Sequence, residues 1–417
     1  MRVLIASVAE RSHFLNLVPL GWALRAAGHD VLVASQPALG PVVRATGMPY
    51  ASVGRDHQLR RVMRSRHRAA PGELGRFTMT EDRDEIITWD YLLDGLEKTV
   101  TWWWRMVNEP MADDLVDLCR TWRPDLVVWE PTTFSGAIAA EACGARHVRY
   151  LWGVDDFGRT RERFLSLWAE QPEETRTDPL TSWLTRIAGR NGVGYSETLV
   201  TGHATVEQIP SDLRLPTPER IRYLPVRYVP YNGRAALPDW LRTPPDRPRI
   251  GLSLGTSVND WYGGREIELS DVLEGLADLD AEVVATLPDA ERERLGTVPP
   301  NTRLVDYTPV HALAPTCAAM ITQGGPGTTL TALSHGIPQL FTPSTTMFDQ
   351  VRTARLVEGT GAGRLLPPDQ VTAQSVAREV RFLLEDTRHA AAAGEMRDRI
   401  AAMPAPADLV RTLTALD

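Results

Sequence analysis

The chain has 417 residues, 43% of them hydrophobic and 24% charged, with a formal net charge of -8. That length exceeds one ordinary core and predicts about two domains of roughly 100–200 residues, and the negative balance leaves no electrostatic footprint for nucleic acid. Cys119, Cys143 and Cys317 are too far apart, and odd in number, for a disulfide framework or zinc spacing, so a reducing cytoplasm is expected. No apolar run approaches the ~18 residues of a membrane span, so no membrane association is expected. The opening MRVLIASVAERSH reads as a buried strand rather than a signal peptide.

Arg2–Val8 reads as a strand, followed by a loop with Ser12 and His13 and by a helical periodicity of Leu17, Leu20, Ala23, Leu24 and Ala27 that Gly28 closes. A second strand spans Asp30–Ala34. The alternation returns at strand Asp125–Trp129, helix Ser135–Cys143 and strand His147–Trp152, which predicts right-handed crossovers and a parallel sheet. Between these, Gly54–Thr88 is rich in Arg and Gly and reads as an irregular segment. A helix-like stretch follows with Trp89, Tyr91 and Trp102, Trp103 and Trp104. Adjacent tryptophans cannot all face one core, so the cluster is either a core face or an acceptor wall or partner surface.

Prolines crowd Tyr228–Arg249, the mark of an interdomain connector. The α/β alternation then restarts: strand Arg249–Leu254, helix Glu268–Leu279, strands Glu282–Ala285 and Thr302–Asp306, helix Val310–Ala314, strand Ala319–Thr322, helix Thr328–His335 and strand Gln339–Phe341. Helical segments near Ala373–Leu384 and Ala392–Ala401 lead to a short last helix from Ala407. The expected division is 1–227, a linker at 228–248, a second domain at 249–400, and 401–417 as a helix crossing back to the first.

The most specific chemical signal is Thr322-Gln323-Gly324-Gly325-Pro326-Gly327-Thr328-Thr329, between a strand and a helix. Glycines admit close approach, and a helix N-terminus favours an anion such as a diphosphate. A tight structural turn is the plainer alternative. Gly255, Thr256 and Ser257 follow another strand at its carboxyl end, where open α/β sheets collect ligands. Gly251–Gly255 also matches the G-x-S-x-G of serine hydrolases, but Ser253 sits in an alternating apolar run and no helix is expected directly after Gly255, so the exposed elbow is missing. Asp349 and Gln350, after Met347 and Phe348, suit vicinal hydroxyls or amines of a sugar, with Asp349 as a mere N-cap the alternative. His13 is a candidate general base. Glu130, ending another strand, is placed to orient it.

Together these residues identify a family. Ser12-His13 with LVPLGWALRAAGHDV, WRPDLVVWEPTTFSGAIAAE, RYVPYNG with Pro238-Asp239-Trp240-Leu241, VHALAPTCAAMITQGGPGT and GIPQLFTP resemble the nucleotide-sugar-dependent glycosyltransferases of antibiotic biosynthesis, desosaminyltransferases among them. The resemblance implies two doubly wound, Rossmann-like α/β domains facing a cleft, the GT-B architecture. It implies an N-terminal acceptor domain and a C-terminal donor domain, with His13 as base, Glu130 as its acidic partner, and Ser12 and Trp152 toward the acceptor. It further implies a dTDP-deoxysugar on Gly324–Thr328, a nucleobase against the backbone around Val310, and a hydrophobic polyketide acceptor. No metal or cofactor is expected. Near relatives use a catalytically idle homologue of a haem-thiolate oxygenase as activator, with Gly54–Thr88 the candidate docking region. Where the family often has His-His before the glycines, this chain has Thr322-Gln323. A nucleotide-sugar epimerase and an idle sugar-nucleotide-binding helper are the alternatives.

Overall fold

The computed structural model describes residues 1–69, 77–216, 218–234, 236–255, 257–262, 265–345, 347 and 349–416. They form two units. One comprises Met1–Gln208, Arg214–Val226 and Pro404–Asp417; the other comprises Ile209–Leu213 and Arg227–Met403.

The first unit is built on strands β1 (Arg2–Ala6), β2 (Asp30–Ser35), β3 (Tyr50–Ser52), β4 (Leu126–Trp129), β5 (Arg146–Tyr150), β6 (Ala204–Glu207) and β7 (Tyr223–Pro225), in the order β3-β2-β1-β4-β5-β6-β7. Every pairing is parallel. Val3, Leu4, Ile5 and Ala6 are all fully buried, which requires cover on both faces of the sheet and explains why β1 reads as a continuous apolar run. After β4 comes the helix Phe134–Cys143, whose small residues let it lie close: a side chain at Gly136 would meet Trp129 Cβ at 2.8 Å. It ends at Gly144 in the left-handed region, φ 74°.

The second unit repeats the plan with β8 (Arg249–Ser253), β9 (Glu282–Thr286), β10 (Thr302–Val305), β11 (Ala319–Thr322), β12 (Gln339–Phe341) and β13 (Gly363–Leu365), ordered β10-β9-β8-β11-β12-β13 and again parallel. In each sheet the strand order reverses at one point, between β1 and β4 in the first and between β8 and β11 in the second. Crevices at the carboxyl ends of such reversal points are where open α/β sheets bind ligands.

Several features sharpen or depart from the expectations. Residues 59–69, inside the segment read as irregular, form the helix Leu59–Ala69. The tryptophan stretch is helical with a wide turn at Val100–Trp104, and its residues divide: Trp104 is buried against Phe134, while Trp102 is 40% exposed. The proline-rich 228–248 stretch packs within the second unit, where the Tyr228 hydroxyl donates to Gly327 O at 3.0 Å and Asn232 Oδ1 accepts from His311 N at 2.8 Å. A helix, Ser257–Tyr262, does begin just after Gly255. Ser253 is nonetheless a buried residue still within β8, so no nucleophile elbow results. The last helix, Pro406–Thr414, packs on the helix Val18–Ala26 of the first unit.

Candidate active site

At the reversal point of the first sheet, His13 and Glu130 meet. β1 runs into a loop that turns at Glu10 into the short helix Arg11–Leu15 carrying His13, and Glu130 directly follows β4. His13 Nδ1 lies 3.3 Å from Glu130 Oε2, with its N–H off the line of a good hydrogen bond. The carboxylate is otherwise saturated: Thr132 N reaches Oε2 at 3.1 Å, the Thr132 hydroxyl reaches Oε1 at 2.9 Å, and the Thr133 hydroxyl donates to Oε1. Thr133 Oγ1 also accepts from Val8 N at 2.8 Å, which ties the β1 loop to the same carboxylate. Burial alone would raise the Glu130 carboxyl; the adjacent His13 ring and the hydrogen bonds from Thr133 and Thr132 outweigh it and hold the group below its ordinary range, so it is ionised.

The other face of His13 stacks on Trp152, ring centroids 3.9 Å apart, and Trp152 meets Phe157 edge to face. Ser12 is exposed on the His13 helix, its carbonyl accepting from Asn16 Nδ2. Sequence reading missed the neighbouring charges: Glu10, 2% exposed, pairs with Arg60 at 2.8 Å and lies 3.8 Å from His57 Nε2. Burial draws the His57 ring below its ordinary value. Elsewhere among the described residues, Glu141, His147 and His203 place ligand atoms within 4.8 Å of one another. Trp129 Nε1 can only donate, and it faces His147 Nδ1 at 3.1 Å, so the ring proton sits on Nε2 toward Glu141. That cluster is a closed hydrogen-bonded unit.

The glycine loop stands at the reversal point of the second sheet. β11 ends at Thr322, and the helix Pro326–Ser334 starts with Gly325 at its N-cap, Pro326 at N1 and no side-chain cap. Uncapped N–H groups at a helix start favour an anion. The glycines divide by role. Gly324 has φ 83°, and a side chain there would strike Gln350 O at 2.7 Å, so the fold itself demands it. At Gly325 a side chain would meet no described protein atom within 4 Å, and at Gly327 only Tyr228 Oη at 3.9 Å, which leaves that face for a ligand. Thr328 is half-buried at the helix start, whereas Thr329 is fully buried and its hydroxyl is turned inward.

Gly255 follows β8 with φ 61°; Thr256 and Phe348 lie outside the described residues. Gln323 is 7% exposed. Its amide is satisfied when the oxygen accepts from Arg265 Nη1 at 2.9 Å and the nitrogen donates to Leu254 O. Val310 opens the helix Val310–Leu313 with its side chain in the core, leaving only backbone to offer. Asp349 holds the N-cap position of the helix Gln350–Gly359 without a side-chain cap bond, and Met347 is half-buried beside it. Gln350 is 4% exposed, and its Oε1 accepts from Ser344 N at 2.9 Å, a bond that shapes the loop.

Comparison with known proteins gives the family. The chain matches the model for the N-terminal domain of erythromycin biosynthesis protein CIII-like proteins over residues 22–255 and that for their C-terminal domain over residues 270–416. It is 42% identical to the 10-deoxymethynolide desosaminyltransferase of Streptomyces venezuelae, covering 100% of this chain and 97% of the relative. To the aclacinomycin-T 2-deoxy-L-fucose transferase of Streptomyces galilaeus it is 39% identical, covering 100% and 96%. The crystal structure of the glycosyltransferase VinC in complex with dTDP superposes with a TM-score of 0.89 at 36% identity, over 100% of this chain and 99% of that one. Two parallel-sheet α/β domains of the GT-B kind, a histidine–carboxylate pair and a glycine loop thus stand in a chain that belongs to the erythromycin biosynthesis protein CIII-like family of glycosyltransferases.

Proposed function

We propose that the chain is a cytoplasmic, inverting and metal-independent transferase that moves a deoxysugar from a dTDP-sugar to a hydroxyl of a macrolide or aromatic polyketide aglycone. Residues 1–227 bind the aglycone and 249–400 the nucleotide sugar. The observation that carries the reading is the His13–Glu130 pair. An acceptor hydroxyl is a weak acid and a weak nucleophile, so it needs a base beside it. With Nδ1 turned to an ionised carboxylate, the Nε2 lone pair is left to take the proton. The acceptor oxygen bonds to the anomeric carbon as the bond from that carbon to the diphosphate oxygen breaks, and the electron pair leaves with the diphosphate. The helix start at Pro326–Thr328 receives that charge, a task that needs no cation. The names of the relatives, which are deoxysugar transferases, and the dTDP in the VinC complex support the choice of donor.

The reading includes an accessory protein of the haem-thiolate oxygenase type docking beside the helix Leu59–Ala69 and the partly exposed Trp102. The test is an assay of the purified chain with dTDP-deoxysugars and polyketide aglycones. Product of inverted anomeric configuration is expected, with turnover below about 1 per second until the accessory protein is added. A product of retained configuration would exclude direct displacement, and full turnover by the chain alone would remove the accessory protein.

A further inference from the structure

Arg265 lies outside every motif, yet it joins both loops of the second reversal point. Its side chain is 6% exposed. Nη1 donates to Leu254 O at 2.9 Å and Nη2 to Gly255 O at 2.8 Å, which pins the loop after β8. With the Gln323 amide oriented so that both its groups are satisfied, its oxygen also accepts from Nη1 at 2.9 Å, just after β11. The guanidinium is oriented in turn by Glu291, with Nε–Oε1 3.1 Å and Nη2–Oε1 2.9 Å. The next residue serves a third strand end: Glu266 accepts from Thr345 N at 3.1 Å, from Thr345 Oγ1 at 2.7 Å and from the Ser344 hydroxyl, in the loop after β12.

A planar guanidinium binds several carbonyls in one fixed plane, which a flexible ammonium does not. Because C=O and N–H point opposite ways across a trans peptide, holding Leu254 O against the guanidinium also fixes the Gly255 N–H, directed away from it. Gly255, at φ 61°, has no side chain of its own to hold that conformation. Arg265 also places a permanent positive charge next to Gln323, a neutral residue adjoining the glycine loop. The open space at Gly325 and Gly327 and the uncapped helix start independently suit this loop to an anion.

We propose that Arg265, with Glu266, is the positioning element of the donor site, holding the loops after β8, β11 and β12 in one arrangement that fits the diphosphate of a nucleotide sugar. This rests on the reading of Gly324–Thr328 as the diphosphate loop. The test is calorimetry of thymidine diphosphate and of thymidine on the full chain, for the native protein, Arg265→Gln, Arg265→Lys and Gly327→Val, each checked by thermal melting. Arg265→Gln is expected to weaken thymidine diphosphate by about tenfold or more, the scale of a lost charge-assisted contact, with thymidine within about twofold. Arg265→Lys should fall between Arg265→Gln and native, since it keeps the charge but not the fork. Equal losses for nucleoside and diphosphate would mark a merely structural residue and overturn the proposal. Unchanged diphosphate affinity in Arg265→Gln, with loss in Gly327→Val, would overturn the proposal and leave the diphosphate loop standing. No loss in either variant would remove both. Should Arg265→Gln fail to fold, Arg265→Lys carries the same comparison.

Discussion

The two units place their chemistry at the same topological position and build it from opposite materials. In the first, the reversal point between β1 and β4 holds titratable side chains, His13 and Glu130, with threonine hydroxyls around the carboxylate. In the second, the reversal point between β8 and β11 holds backbone: a helix start, glycines, and carbonyls pinned by Arg265. Moving a proton requires a group that changes charge near neutral pH, which backbone cannot do. Holding a diphosphate requires fixed dipoles at close range, which glycine and helix N–H groups supply without changing charge. On the proposed function, the first site is therefore sensitive to removing atoms and the second to adding them.

Deleting the base gives the largest expected effect. His13→Ala should lower turnover by about 100- to 10,000-fold with thymidine diphosphate affinity unchanged; near-native turnover would erase the contrast between the two sites. Next comes the converse change. Gly327→Val adds atoms where, beyond its own helix turn, the nearest described protein atom would be 3.9 Å from a new Cβ, and should cost about 10- to 100-fold in thymidine diphosphate affinity, on the scale of lost charge-assisted hydrogen bonds. Unaltered calorimetric binding would show that the loop is only a turn. Glu130→Gln preserves shape and removes the charge that orients His13, so turnover should fall by about tenfold, less than in His13→Ala. An equal loss would mean that the carboxylate takes a larger part than orientation.

The smallest effect lies off both sites and checks that ionisation matters locally. Glu207, at the end of β6, is pushed up to about 7 by burial, which the Arg214 charge and hydrogen bond only partly offset. Between the ordinary value of 4.5 and about 7, the folded chain keeps a proton that the unfolded chain has lost, so this group's contribution to stability declines as pH rises through that window. The melting midpoint of Glu207→Gln should therefore fall less than the native one between about pH 5 and about pH 8, with turnover at neutral pH unchanged. Parallel melting curves for the two proteins would contradict the shift.

How much of this is legible in sequence depends on whether a residue's role is local. β1, β4 and β11 are readable because burial on both faces writes a continuous apolar run, and His13 and Glu130 follow from the ends of strands that turn out to be neighbours. β3 and β7 are three residues each, too short to show a period. The helix Leu59–Ala69 is hidden by its arginines, although Arg60 has a definite partner in Glu10. Gln350 accepts from Ser344 N six residues upstream, a loop bond that only the fold reveals. Arg265 is the opposite case: its neighbours in the chain give no motif, and its partners Leu254, Gln323 and Glu291 are far apart in sequence.

The helix Pro406–Thr414 has a consequence for anyone recombining such enzymes. It buries Leu409, Val410 and Leu413 and packs on Val18–Ala26, so the first unit is completed by residues that follow the whole second unit in the chain. Domains generally fold as units, the N-terminal one first during synthesis, but this first unit lacks the helix until the second unit has been made. A chimera that exchanges everything after residue 226 would bring a foreign tail to the first unit. The transplantable cassette is instead Arg227–Met403, with Ile209–Leu213 matched to it through the Asp212–Arg399 ion pair, and the native tail belongs with the native beginning.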